Sequence, residues 1–262
     1  MAPGTHAETG YGDGLITERQ SAILQQLIER PGTSVVELSH MLNVTDATIR
    51  NDLNHLSNRG LIVRSHGKAT PALHPMMIGR QRANLKQKIR IAKKAAEMIG
   101  TGDTVMIDSG TTTAIIPRYL IGKRDIHVIT NSILQIAHFR LNPSITFTMI
   151  GGEFRFLDEC FVGPLSLDAL SRFNARTAFI GTIGFSPEHG LTTYSLEIAD
   201  VILQMVRRAD QVVLCADSSK CGKTGNVNTI PLSEVDCLIT DDGITDDFQR
   251  QVKDLGVQII IA

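Results

Sequence analysis

The sequence predicts an α/β protein in two parts: a small N-terminal unit of three helices and a β-hairpin, then a larger domain built on a mainly parallel sheet. Three observations predict it. Apolar residues recur at three- and four-residue steps through residues 16–56, and a short hairpin pattern follows. From Thr104 onward, apolar runs alternate with helical patterns. Polar turns rich in glycine, serine and threonine sit after several of those runs. The 262 residues suit one or two domains, and 42% hydrophobic with 20% charged residues is ordinary globular composition.

Residues 1–15 read as a flexible tail, and 16–71 as the first unit. Ile16, Arg19, Ile23, Leu24, Leu27 and Ile28 form the inner stripe of a first helix, stopped by Pro31-Gly32. Thr33 or Ser34 caps a second helix that buries Val35, Leu38 and Leu42. Asn43-Val44-Thr45 makes a turn, and Thr45 caps a third helix with Ile49, Leu53 and Leu56 inward. Three short helices with a tight turn before the third predict a helix-turn-helix. Leu61–Arg64 is then a strand, Ser65–Lys68 a turn and Ala69-Thr70 the start of a return strand, which together make a wing.

The outer face of the third helix carries Thr45, Asp46, Thr48, Arg50, Asn51 and Asn54. Arg50 suits a guanine edge or a phosphate, and Asn51 an adenine. Arg64, His66 and Lys68 on the wing suit the sugar-phosphate backbone. Charge points the same way. Residues 1–100 hold 13 Lys+Arg and 8 Asp+Glu, a balance of +5, while the remaining 162 carry −6. Arg64 to Lys94 has nine basic residues and no acid, which suits a polyanion partner or a solvated helix face. A helical bundle that binds a protein is the competing reading of the unit.

Residues 72–81, with Pro75 and Gly79, read as a linker, and 82–262 as the second domain. A helix is predicted over Arg82–Ile99, with Leu85, Ile89, Ala92, Ala96 and Ile99 inward. Strands follow at Thr104–Asp108, Ile126–Thr130, Ile145–Ile150, Thr177–Gly181, Val212–Ala216, Cys237–Thr240 and Val257–Ala262. Helices near 111–121, 131–140, 164–173, 195–209 and 246–255 lie between most of them. In such sheets ligands bind at the carboxyl ends of the strands. There the sequence places Asp108, Ser109, Gly110, Thr111, Thr112 and Thr113, where amides and hydroxyls at a helix start suit a phosphate. Asn131 and Ser132 follow the next strand. Gly151 and Gly152 with Arg155 follow the third, and Asp217 with Lys220 a later one. Each such turn can also be a plain helix cap, and Glu197 can simply complement a helix dipole.

Cys160, Cys215, Cys221 and Cys237 form no C-x-x-C pair and no zinc spacing with histidine, so no metal or cofactor is expected. No apolar run reaches the roughly 18 residues of a membrane helix. No secretory signal is visible at the start, and a cytoplasmic protein is expected.

Three motifs of the first unit, E-R-x-x-x-I-L at Glu18, T-x-x-T-I-R-x-D-L at Thr45 and R-S-H-G-x-A at Arg64, resemble the DeoR family of bacterial transcriptional repressors. So do D-S-G-T-T, T-N-S, I-G-G-x-x-R, F-I-G and A-D-S-S-K in the second domain. The resemblance implies a winged helix joined to a sensor domain similar to ribose-5-phosphate isomerase and the CoA transferases. It implies release from operator DNA by a phosphorylated sugar, with Asp108 to Thr112, Asn131, Ser132, Arg155 and Lys220 lining the pocket and Glu197 near it. A dimer or larger oligomer would match a palindromic operator. Lys68 stands where the family has a second glycine, Arg176 where it often has aspartate, and Cys221 where phenylalanine is common. An activator with the same domains remains open. So does an isomerase-like enzyme using Asp108, Glu197, Asp217 and Lys220 as acid, base and electrophile.

Overall fold

The computed structural model describes residues 16–262 apart from 31, 59–60, 66–67, 72–74 and 141. The expected tail 1–15 lies outside the described residues. Two compact units divide between Pro75 and Met76.

The first unit begins with α1 (Glu18–Glu29), α2 (Val35–Leu42) and α3 (Asp46–Asn58). Capping sets their starts. Thr17 Oγ1 accepts from the Gln20 amide at 3.1 Å, while Gln20 Oε1 accepts from the Thr17 amide at 3.1 Å. Ser34 and Glu37 repeat this reciprocal arrangement on α2. Asn43 ends α2 in the left-handed region, with φ of 51°, and turns the chain toward α3. Ile23, Leu24, Leu27, Leu38, Ile49 and Leu56 are fully buried between the helices. Burial of such side chains stabilises by about 1.5–3 kcal/mol each. The hairpin β1 (Ile62–Ser65) and β2 (Lys68–Pro71) adds Ile62 and Ala69 to this core.

Arg19 sits in the first apolar stripe because it has an acid to meet. Its Nε donates to Asp52 Oδ2 at 2.6 Å, and Gln20 Nε2 donates to Asp52 Oδ1 at 3.2 Å. Asp52 is 3% exposed. This contact ties α1 to α3, so Asp52→Ala will leave two donors without their acceptor and lower stability by about 1–3 kcal/mol. Urea unfolding of the variant beside Asp52→Asn measures it. Equal midpoints for the wild type and Asp52→Ala would show that the contact contributes nothing.

Residues 75–81, expected as linker, belong instead to α4 (Pro75–Arg82). A turn at Ala83-Asn84 separates it from α5 (Leu85–Glu97), which corresponds to the helix predicted over Arg82–Ile99. Proline at the start of α4 costs no helical hydrogen bond there.

Beyond α5 the chain runs through β3 (Thr104–Ile107), β4 (Ile126–Thr130), α6 (Ile136–Phe139), β5 (Ile145–Met149), β6 (Glu153–Arg155) and β7 (Cys160–Val162). It continues through α7 (Pro164–Ser171), β8 (Ala175–Ile180), β9 (Gly184–Ser186), β10 (Gly190–Thr193) and α8 (Leu196–Arg207). It ends with β11 (Ala209–Cys215), β12 (Val227–Asn228), β13 (Cys237–Thr240), α9 (Asp246–Asp254) and β14 (Gln258–Ile261). All seven predicted strands join one parallel sheet in the order β14-β13-β11-β8-β3-β4-β5. Alternate residues feed two cores, as expected of a sheet covered on both faces. Val105 and Ile107 pack with Ile91, Ala95 and Ile116. Met106 packs with residues of α7 and α8 on the other face.

The predicted helix 111–121 is a 3-10 helix over Thr113–Leu120 with Pro117 inside. Proline has no amide to donate and clashes with the carbonyl four residues back, which disfavours α-helical bonding. The short strand pairs β6–β7 and β9–β10–β12 lack a long apolar run and were not anticipated.

The chain leaves β3 for β4 and β5 on one side, then returns as β8 on the other. The carboxyl ends of β3 and β8 therefore flank the point where strand order reverses, the usual place for a ligand crevice.

Candidate functional site

On α3, Ile49, Leu53 and Leu56 face the core, which leaves Arg50, Asn51 and Asn54 exposed. Thr45 caps the helix, accepting from the Thr48 amide at 3.2 Å. Asp46 and Thr48 are half-buried in the first turn. Arg64 on β1 is exposed and donates from Nη1 to Asn54 Oδ1, which joins the wing to the recognition face. Lys68 opens β2 opposite Ser65, and His66 lies outside the described residues. An exposed row of arginine and amide side chains over a rigid apolar stripe is suited to a nucleic-acid groove.

At the reversal point of the sheet lies a cavity of about 430 Å³. Asp108, Ser109, Gly110, Thr111, Thr112, Asp217 and Lys220 all line it. Asp108 is not a free ligand. Its Oδ2 accepts from the Gly181 amide at 3.0 Å and its Oδ1 from the Ser109 amide at 2.5 Å. The Gly181 bond clamps the ends of β3 and β8 together. Burial pushes the Asp108 carboxyl up, and the amides of Gly181, Ser109 and Gly110 counter this. The Gly110-Thr111-Thr112 turn then leads into the 3-10 helix. Asp217 Oδ1 caps the turn Ser218–Lys220, while its buried Oδ2 has no hydrogen-bond partner among the described residues. Lys220 lies in that turn, its ammonium pushed down by burial and pulled up by Asp217.

Other expected residues lie outside the cavity wall and hold the frame. Thr113 donates to the carbonyls of Asp108 and Gly110 at 2.9 and 2.8 Å. Asn131 donates to Phe161 O at 2.8 Å, and Ser132 accepts from the Leu134 amide. Gly151 O accepts from Ser166 Oγ at 2.8 Å. Gly152 has φ of 155°, and a Cβ there would fall 2.1 Å from Ser166 Oγ, so this glycine serves close packing on α7. Arg155 pairs with Asp158 at 3.3 Å and Glu197 at 3.5 Å. Glu197 is exposed, and the Ser195 hydroxyl holds its carboxyl below the usual range. Neither Arg176, paired with Asp103 at 2.8 Å, nor Cys221 reaches the cavity wall.

Sequence reasoning missed Arg80, Asn84, Lys88, Asp158, Tyr194 and Lys223, all of which line the cavity. Lys88 was legible. It precedes Ile91 and Ala92 by three and four residues, which puts it on the buried face of α5. Only 4% of it is exposed, and its Nζ donates to Arg80 O. Burial pushes its ammonium down to about 8, against a pull upward from Asp217 and with further pushes down from Lys220 and Arg80. Unfolded lysine titrates near 10.5. Between those values the unfolded chain binds more protons, so the penalty is fully present below about 8 and stability rises with pH above it. Lys88→Met will flatten that rise, which denaturant unfolding on either side of pH 8 measures. An unchanged slope would contradict a buried, depressed Lys88.

Residues 19–72 match the DeoR-like helix-turn-helix domain, and residues 83–242 match the DeoR C terminal sensor domain. Along 253 residues the chain is 35% identical to the HTH-type transcriptional regulator GlpR of Haloferax volcanii, covering 94% of this chain and 98% of that one. Along 252 residues it is 30% identical to the putative aga operon transcriptional repressor of Escherichia coli O157:H7, covering 94% and 93%. Ribose 5-phosphate isomerase A of Methanocaldococcus jannaschii is similar in structure with a TM-score of 0.39 and 17% identity, over 53% of this chain and 55% of that one. Among the described residues no helix is long and apolar enough to cross a membrane. Relatives that align along almost the whole chain are regulators, so the protein belongs to the DeoR family and is a DNA-binding transcriptional regulator, not an isomerase.

Proposed function

We propose that this protein represses a sugar-utilisation operon in the cytoplasm and leaves its operator when a phosphorylated sugar fills the cavity. α3 and the wing hold the duplex, and a dimer or larger oligomer matches a palindromic site. The observation that carries the reading is the cavity wall itself. Lys220 and the Gly110-Thr111-Thr112 turn suit a phosphate. Asp217, which lines the cavity and whose buried Oδ2 is unpartnered among the described residues, suits a sugar hydroxyl. A bound dianion beside Lys88 favours the protonated amine, so effector affinity falls as pH rises through about 8.

Regulation requires the effector to bind the two conformations with different affinity. The test is a gel shift with the full chain on its own upstream DNA, with and without a panel of sugar phosphates. Salt-dependent binding released by one phosphorylated sugar, and not by its dephosphorylated form, is the expected result. Binding that no phosphorylated sugar alters would overturn the effector reading. Reporter expression in a deletion strain separates repression from activation.

A further inference from the structure

We propose that Arg80, on α4, is an anion ligand of the cavity, so that a bound phosphate engages the connector helix as well as the sheet. This rests on the effector reading above and extends it to residues 73–82, which neither matched span includes.

Arg80 is anchored at one end only. Its Nη2 donates to Leu157 O at 2.6 Å and to Asp158 Oδ1 at 2.9 Å. Its Nε is buried and has no hydrogen-bond partner among the described residues. A dry guanidinium N–H is costly until an acceptor meets it, and an oxyanion is the best acceptor. Asp158 leaves the guanidinium only partly neutralised, because the same carboxylate also accepts from Arg155 at 3.3 Å. Asp217 lines the same cavity, and its buried Oδ2 lacks a hydrogen-bond partner among the described residues. Arg80 and Asp217 both line the cavity, and a ligand bearing an oxyanion and a hydroxyl would supply each side chain with a further partner.

The surroundings make this contact consequential. Lys88 donates to the Arg80 carbonyl, which ties α5 to α4. Asn84, left-handed with φ of 54°, forms the joint between α4 and α5. Its Nδ2 donates to Asp217 Oδ1 at 2.8 Å and Ser219 Oγ at 2.9 Å. Polar contacts with two cavity loops thus hold the connector, and an anion that competes with Asp158 for Arg80 changes that hold.

The test titrates the full-length protein with inorganic phosphate at constant ionic strength. Melting temperature and hydrogen exchange of residues 76–82 are the readouts. Phosphate is expected to raise the melting temperature and slow exchange in that segment. Arg80→Ala is expected to bind phosphate about tenfold or more weakly and to lose the protection of 76–82. Arg172→Ala, which removes an exposed cation that pairs with Asp168 outside the cavity wall, is expected to keep phosphate affinity. If Arg80→Ala does not fold, Arg80→Lys and Arg80→Gln decide, with lysine retaining more affinity than glutamine. Wild-type affinity in Arg80→Ala, or in both substitutes, with loss in Lys220→Ala would refute the connector ligand and leave the cavity reading standing. Absence of phosphate binding by the wild type would overturn both.

Discussion

Replacing Lys220 with alanine will leave operator affinity unchanged and raise the effector concentration needed for release by roughly 30-fold or more, the factor that about 2 kcal/mol for a lost buried charge partner implies. The lysine sits in a short 3-10 turn whose start is capped by Asp217, so its ammonium is delivered to the cavity by main-chain geometry. Removing it takes away a point charge without touching α3 or the hairpin. Burial already pushes the ammonium down, so an incoming phosphate is the partner that restores its favourable state. A gel shift at increasing concentrations of the effector gives the answer. Release at the wild-type concentration would mean that the phosphate binds elsewhere.

Arg50→Ala will weaken operator binding by about 1–3 kcal/mol if its guanidinium reads a base edge. The side chain is exposed, while its neighbour Ile49 is fully buried, so truncation leaves the helix packing intact. Comparison of cognate with scrambled DNA separates two roles. A base contact relaxes specificity at one position, whereas a phosphate contact weakens all sequences alike and lowers the salt slope by about one. Unchanged affinity on cognate DNA would remove Arg50 from the interface.

Much of this was readable before any coordinates. Apolar runs such as Ile126–Thr130 and Val212–Ala216 can be buried only in a sheet covered on both faces, and each became a central strand. The stripe of Ile49, Leu53 and Leu56 placed α3 in correct phase. What failed had local causes. The basic run Arg64–Lys94 suited a polyanion partner or a solvated helix face, yet Lys88 turns inward and Arg80 meets Asp158. Nothing within a few residues of Arg80 signals Asp158, because the contact is long-range. Gly151-Gly152 and Asn131-Ser132 look like phosphate turns, since packing against a helix and capping a turn need the same small or polar residues. Arg19 among apolar residues was the reverse case, a charge whose buried partner lies 33 positions away.

The clamp between Asp108 and the Gly181 amide has a consequence for how such regulators diversify. The floor is made by main chain and by a carboxylate already committed to it, so its geometry does not depend on which metabolite arrives. Discrimination then falls to lining side chains outside that clamp, such as Tyr194 and Ile198. After gene duplication, a few substitutions among those lining side chains would reshape the cavity while the clamp itself stays constant.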